Sequence, residues 1–161
     1  MSASQNKLSI SPDGESFPLP EQADYAAEYE RVKALAEAAR AKGQEVVVVM
    51  GVGFVGAVMA AIVADCTDRD GRPRKFVIGC QRPSTRSFWK IPLLNRGVSP
   101  VKAEDPQVDV LIGRCVNDRK TLTATYNSQV IDLADCVVID VQCDFLKQEL
   151  QPPAIPLSTI Q

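Results

Sequence analysis

Histidine is absent from this chain of 161 residues, and none of its five cysteines forms a CxxC pair. Zinc sites and histidine-based catalytic triads therefore lack the side chains on which they usually depend. We expect the thiols to be reduced and each to be buried as a small apolar side chain. These thiols belong to Cys66, Cys80, Cys115, Cys136 and Cys143.

An excess of positive charge is also missing, because 18 basic residues face 20 acidic ones and the net charge is −2. Nothing in this balance attracts nucleic acid or an anionic membrane. Apolar residues at 45% and charged residues at 24% are typical of one globular domain. Since residues 1–20 lack the apolar core of a signal peptide, we expect a cytoplasmic protein.

Residues 46–64 carry no charge and are numerous enough to span a bilayer as a helix. The segment opens with four valines, whose branched side chains favour strands, and then has three glycines within six positions. It also lacks flanking aromatic anchors. A buried strand, a tight turn and a helix therefore explain it better than a membrane span.

The remaining pattern divides the chain into four parts. Residues 1–20 have no hydrophobic period and predict a flexible leader, residues 21–44 predict an amphipathic helix, and residues 151–161 predict an irregular tail. Residues 45–150 alternate strands with helices, which predicts a Rossmann-like, doubly wound parallel sheet of about four strands. The expected strands are residues 45–50, 75–80, 122–125 and 136–141. The first and the fourth are expected to be buried, the second is short and apolar, and the third is a candidate short strand.

A GxGxxG motif follows the first predicted strand and opens the next helix, with glycines at Gly51, Gly53 and Gly56. In dinucleotide-binding folds the first glycine permits a tight turn and the second lets the backbone approach a pyrophosphate. The third lets the helix pack closely on the strand. The helix N-terminus then offers free amides to the anion. We therefore expect dinucleotide binding here, with close packing alone as the alternative.

An acidic residue that would bind the ribose of NAD is expected at the end of the second strand, but Gln81 and Arg82 stand there. Gln81 can still bond a hydroxyl, while Arg82 and Arg86 suit the 2′-phosphate of NADP, so the choice of cofactor is open. Residues 69–90 hold seven basic side chains against one acidic side chain. A solvated loop face explains this charge equally well.

With these residues the chain resembles the UDP-glucose/GDP-mannose dehydrogenase family, which oxidises a nucleotide sugar to its uronic acid with NAD. Four segments carry the resemblance. They are the glycine motif with its aromatic and valine at Phe54 and Val55, the Leu94-Asn95-Arg96-Gly97 element with Pro100, residues 122–125, and residues 133–141. The resemblance implies an NAD-binding domain, a nucleotide-sugar partner, and cofactor contacts from the end of the fourth strand, at Val141 and Cys143.

Three departures from the family qualify this expectation. The aspartate after the second strand is replaced by Gln81, and the Thr-Pro after the fourth strand is replaced by Cys143-Asp144. Family enzymes are more than twice as long, and their catalytic cysteine and lysine have no counterpart here, so no catalytic residue is assigned.

We expect a cofactor-binding domain that is inactive alone and self-associates through an unfinished sheet edge. A non-catalytic nucleotide-binding or regulatory module, and a different Rossmann oxidoreductase, are the alternatives.

Overall fold

A computed structural model describes residues 7–140, so the tail and the predicted contacts at Val141 and Cys143 lie outside the described residues. Four parallel strands form one sheet in the order β5-β4-β3-β6, which is the 3-2-1-4 order of a doubly wound fold. These strands are β3 (Glu45–Met50), β4 (Lys75–Cys80), β5 (Leu122–Thr125) and β6 (Cys136–Ile139). The Rossmann-like α/β prediction is confirmed.

Helices cover the two faces of this sheet. Helix α1 (Asp24–Arg40) packs Val32, Ala36 and Ala39 against one face. Helices α2 (Phe54–Ala64), α3 (Lys90–Asn95) and α4 (Gln107–Gly113) pack on the other, and α4 continues as a π-helical turn, Arg114–Asp118. A short 3₁₀ helix, Ser128–Leu133, connects β5 to β6.

Residues 1–6 of the predicted flexible leader lie outside the described residues, but residues 8–18 have regular structure. Strands β1 (Leu8–Ile10) and β2 (Ser16–Pro18) form an antiparallel hairpin. The buried Ser9 hydroxyl accepts a hydrogen bond from the Trp89 backbone at 3.1 Å, and Phe17 is buried beneath the Arg96 guanidinium. The leader prediction is therefore corrected, because this hairpin is fixed by contacts with the two residues that flank α3.

Strand β6 differs from its prediction as a buried strand. Val137 is 40% exposed and Ile139 is 72% exposed, while their partners Val48 and Met50 in β3 lie nearer the core. Within the described residues β6 is an edge strand of the sheet, and α1 packs mainly on β3, β4 and the 3₁₀ helix. Burial of a parallel strand requires a neighbour and a helix layer on each face, and β6 lacks this cover.

The N-terminal end of β6 is attached to β3 by Asp135. Its carboxylate accepts hydrogen bonds from the Val46 amide at 2.7 Å and from the Arg40 guanidinium at 2.9 Å. The bond from Val46, followed by that from Arg40, lowers the pKa of Asp135. One side chain thus connects α1, β3 and β6.

Replacing Asp135 tests this connection. A carboxyl whose pKa is lowered on folding stabilises the fold above its unfolded pKa and loses that contribution as pH falls through the folded pKa. We expect Asp135→Asn to lower the melting temperature at pH 7, and the difference from the unmodified chain to shrink as the pH falls below about 4. Thermal unfolding followed by circular dichroism across this pH range measures it. A pH-independent difference would contradict the charge-based account.

Candidate functional site: the glycine turn and its cleft

The turn between β3 and α2 lies where the carboxyl ends of β3, β4 and β6 meet. Gly51 has φ of +99°, a conformation that favours glycine, and its amide donates to the Cys80 carbonyl at 2.7 Å. This places the first glycine of the motif directly beside the end of β4. In parallel α/β sheets, ligands bind at this edge, at the point where the strand order reverses.

Val52 anchors the turn. Its side chain is fully buried, and a Cβ on Gly79 would lie 2.6 Å from Val52 Cγ1. Only a glycine on β4 therefore leaves room for Val52 in this position. The Val52 amide donates to Gln81 Oε1 at 3.1 Å, so the Gln81 side chain fixes the turn as well as ending the strand.

Gly53 and Gly56 have opposite surroundings. A Cβ on Gly56 would lie 1.9 Å from the Gly51 carbonyl oxygen, so α2 approaches the turn as closely as the backbone allows. A Cβ on Gly53 would meet no atom within 4 Å. Gly53 precedes the first residue of α2, whose first amides have no partners within the helix. Gly56 is thus a packing glycine, and Gly53 faces open space.

That open space is a cleft of about 840 Å³. Six residues of the predicted site line it, together with two that the sequence analysis did not select. The predicted ones are Gly51, Gly53, Phe54, Val55, Gln81 and Arg82, and the additional ones are Lys90 and Asp140. Gly56 is buried and Arg86 is exposed, and neither is among the lining residues.

The basic segment of residues 69–90 is divided by β4. Arg72 and Lys75, near the amino end of β4, pair with Asp70 and Glu45 respectively. Arg82 and Lys90 follow the carboxyl end of β4 and line the cleft. The cluster of charge seen in the sequence therefore contributes two cations to the cleft, and the rest of it lies elsewhere.

Within residues 7–140, no reactive thiol lies at the turn. Cys80 is 2% exposed, and burial raises the pKa of its thiol to about 11. Burial also raises the pKa of Cys115 to about 11. Since the thiolate is the nucleophilic form, both thiols are inert at neutral pH. Cys66 and Cys136 are exposed, which corrects the expectation that every cysteine is buried.

Asn95 belongs to the second segment of the family resemblance and bonds the backbone of β5, the other edge strand of the sheet. Its side-chain amide donates to the Ala124 carbonyl at 3.0 Å and accepts from the Ala124 amide at 2.7 Å. The Arg31 guanidinium donates to the same carbonyl at 3.2 Å. Asn95 thus takes the place of a neighbouring strand at β5, and it has no contact role in the cleft.

No family model and no curated protein matches the chain. Among solved structures, an NDP-N-acetyl-D-galactosaminuronic acid dehydrogenase from Methanosarcina mazei Go1 is 32% identical with a TM-score of 0.58. The likeness covers 71% of this chain and 23% of that one. The chain is related to the nucleotide-sugar dehydrogenases. This confirms the family resemblance, and the chain spans about a quarter of the length of this dehydrogenase.

A UDP-glucose dehydrogenase from the hyperthermophilic archaeon Pyrobaculum islandicum is also similar, at 19% identity and a TM-score of 0.49, over 61% of this chain and 20% of that one. Within residues 7–140 of the present chain, no group of three or more metal-binding side chains is present. No helix in the same part of the chain is both long enough and apolar enough to cross a membrane.

The two new cleft residues had weak signals in the sequence. Asp140 lies near the end of the predicted fourth strand, residues 136–141, and it directly follows β6 in the structure, at the same edge as the glycine turn. Lys90 belongs to the basic segment of residues 69–90, but it lies well beyond the second strand in the sequence. The sequence therefore gave no indication that the chain returns to the cleft at this residue. Both residues are identified as part of the cleft by the structure alone.

The contrast between Gly56 and Gly53 gives a stability prediction. Gly56→Ala forces a methyl group against the Gly51 carbonyl, and we expect it to destabilise the fold by about 2 kcal/mol or more. Gly53→Ala, the matched control, enters open space and should change stability by less than about 1 kcal/mol. Urea unfolding measures both. Equal losses would contradict the close approach between α2 and the turn.

Proposed function

We propose that the chain is the cofactor-binding domain of a nucleotide-sugar dehydrogenase and binds NAD or NADP in the cleft. The observation that carries this proposal is the glycine turn, which opens onto the cleft where the strand order reverses between β3 and β6. The free amides at the start of α2 suit a diphosphate, and the open space at Gly53 lets the backbone approach it.

The fit between the cleft and a dinucleotide is good at the turn. A side chain on Gly53 would extend into space that no other protein atom fills, which is the arrangement a phosphate cradle requires. The adenosine half would lie toward the end of β4, with its ribose near Gln81 and Arg82. The other nucleotide would lie toward β6. A nicotinamide bound there supplies a hydride acceptor.

The end of β4 favours no single cofactor. The Gln81 oxygen is already bonded to Val52, but its amide nitrogen is still a donor for a ribose hydroxyl. Arg82 and Lys90 supply positive charge that suits a 2′-phosphate. We therefore infer that the cleft accepts NADP as well as NAD, as the absence of an acidic residue at position 81 suggests.

The reaction inferred from the relatives is oxidation of a nucleotide sugar to its uronic acid. Among the described residues, what this chain contributes is binding and orientation of the cofactor, since the cleft contains no thiol in reactive form.

We propose that the domain is inactive alone, works in the cytoplasm, and self-associates through β6. The exposure of Val137 and Ile139 supports the last point.

A second candidate function is a non-catalytic module that binds a nucleotide for regulation. The carboxylate of Asp140 beside the glycine turn favours this alternative, because a negative charge there weakens binding of a diphosphate. A module that uses its ligand as a signal does not need the affinity or the hydride geometry of an enzyme.

Gly53→Val tests the location of the diphosphate. The branched side chain would occupy the open space at the turn, so we expect at least a 30-fold loss of affinity for NAD or NADP, with the fold retained. Isothermal titration calorimetry measures affinity, and circular dichroism verifies folding. Ile62→Val, on the exposed side of α2, is the control. Unchanged affinity in Gly53→Val would place the diphosphate elsewhere.

Gln81→Asp tests the ribose end. The new carboxylate would accept bonds from ribose hydroxyls and repel a 2′-phosphate, so the ratio of NAD to NADP affinity should rise about tenfold or more. Because the shorter side chain also releases the Val52 amide, Gln81→Asn is the matched control for this loss. Equal ratios in the two variants would show that position 81 does not contact the ribose.

A further inference from the structure

Asp140 lies against the first turn of α2. Its backbone amide donates to the Met50 carbonyl at 2.8 Å, which holds it directly beyond β6 at the carboxyl edge of the sheet. A Cβ on Gly56 would lie 2.8 Å from Asp140 Oδ2. The carboxylate therefore sits beside the glycine turn and lines the same cleft.

The carboxylate of Asp140 lies beside the N-terminus of α2. The N-terminus of a helix carries a partial positive charge that stabilises an anion within the first turn. Among the ion pairs formed by residues 7–140, none involves Asp140. The cations that line the cleft, Arg82 and Lys90, follow β4, whereas Asp140 follows β6. Within the part of the chain that the structure describes, the carboxylate of Asp140 thus lines the cleft without a cation paired to it.

A ligand diphosphate would require that same space. It would interact with the amides of the α2 N-terminus while a second anion lies a few ångströms away. Two negative charges at such a distance repel each other. The uncharged parts of a ligand, such as adenine and ribose, do not experience this repulsion.

Resting on the proposed function, we propose that Asp140 is a specificity-determining residue of the cleft. Its carboxylate opposes ligands that bring a diphosphate to the α2 N-terminus and leaves the affinity for the nucleoside part unchanged. The chain therefore binds dinucleotides more weakly than its glycine turn alone would permit, and removal of this one charge strengthens binding.

The test compares the unmodified chain with Asp140→Asn, which removes the charge at nearly constant shape. Asp132→Asn, on the exposed 3₁₀ helix before β6, is the matched control for net charge. Calorimetric titrations use NAD, ADP and adenosine. We expect Asp140→Asn to bind NAD and ADP about tenfold more tightly, and adenosine within about twofold of the unmodified chain. Asp132→Asn should match the unmodified chain for all three ligands.

Salt gives an independent readout, because screening weakens charge repulsion. The gain in Asp140→Asn should shrink in 0.5 M NaCl, and a structural effect of the substitution would not. Asp140→Ala serves as a second variant if Asp140→Asn does not fold.

The outcomes separate this inference from the proposed function. If the unmodified chain binds NAD and the variant binds it equally well, the inference is overturned and the proposed function stands. An equal gain for adenosine and NAD also overturns it, because charge would not be the cause. If only the variant binds NAD, the inference is supported. If neither variant nor unmodified chain binds NAD or ADP, both proposals fail.

Discussion

The contact between the first turn of α2 and the end of β3 determines the geometry of the whole ligand-binding edge. Gly56 faces the Gly51 carbonyl at a distance that admits no side chain. The approach continues along the helix, where the residues buried against the sheet are all small: Ala57, Ala60, Ala61 and Ala64. Because α2 lies this close to the turn, its N-terminal amides lie beside the carboxyl edge of the sheet. The Val52 side chain packs directly against Gly79. The cleft is the space that remains in front of this turn.

The two edge strands of the sheet, β5 and β6, differ in the contacts that their outer sides make. At β5, side chains of Asn95 and Arg31 bond the backbone of Ala124 and take the place of another strand. At β6, the apolar Val137 and Ile139 are exposed in the part of the chain that the structure describes. An exposed edge with apolar side chains favours association with other polypeptide. The likeness covers 23% of the related dehydrogenase, so in that protein the corresponding domain has further polypeptide beside it.

Most of the fold could be predicted because the strongest signals were local. Four strands rich in apolar and β-branched residues, the glycine motif between a strand and a helix, and the periodic apolar face of α1 each depend on neighbouring residues only. The hairpin of residues 8–18 had a local signal too, since Pro12-Asp13-Gly14 is a typical turn sequence between two short runs. Its order depends on contacts with Trp89 and Arg96, more than 70 residues away, and these no local pattern reveals.

The candidate site was predictable in its backbone and less so in its charges. The position of the turn followed from three glycines, and Gln81 followed from the end of β4. The bond from Val52 to Gln81, and the approach of Asp140 to Gly56, are distances between segments that only the folded chain brings together. The exposure of β6 was missed for a similar reason, because burial depends on neighbours in space.

The central claim is that the glycine turn holds a dinucleotide. The most direct measurement is a titration of the isotope-labelled chain with NAD, followed through the backbone amide signals in two-dimensional NMR spectra. The account predicts the largest shifts at Val52 to Val55 and at Gln81 and Arg82, with a saturable dependence on NAD concentration. Saturable shifts confined to the groove lined by Arg31 and Lys120, or no shifts in a folded chain, would contradict it.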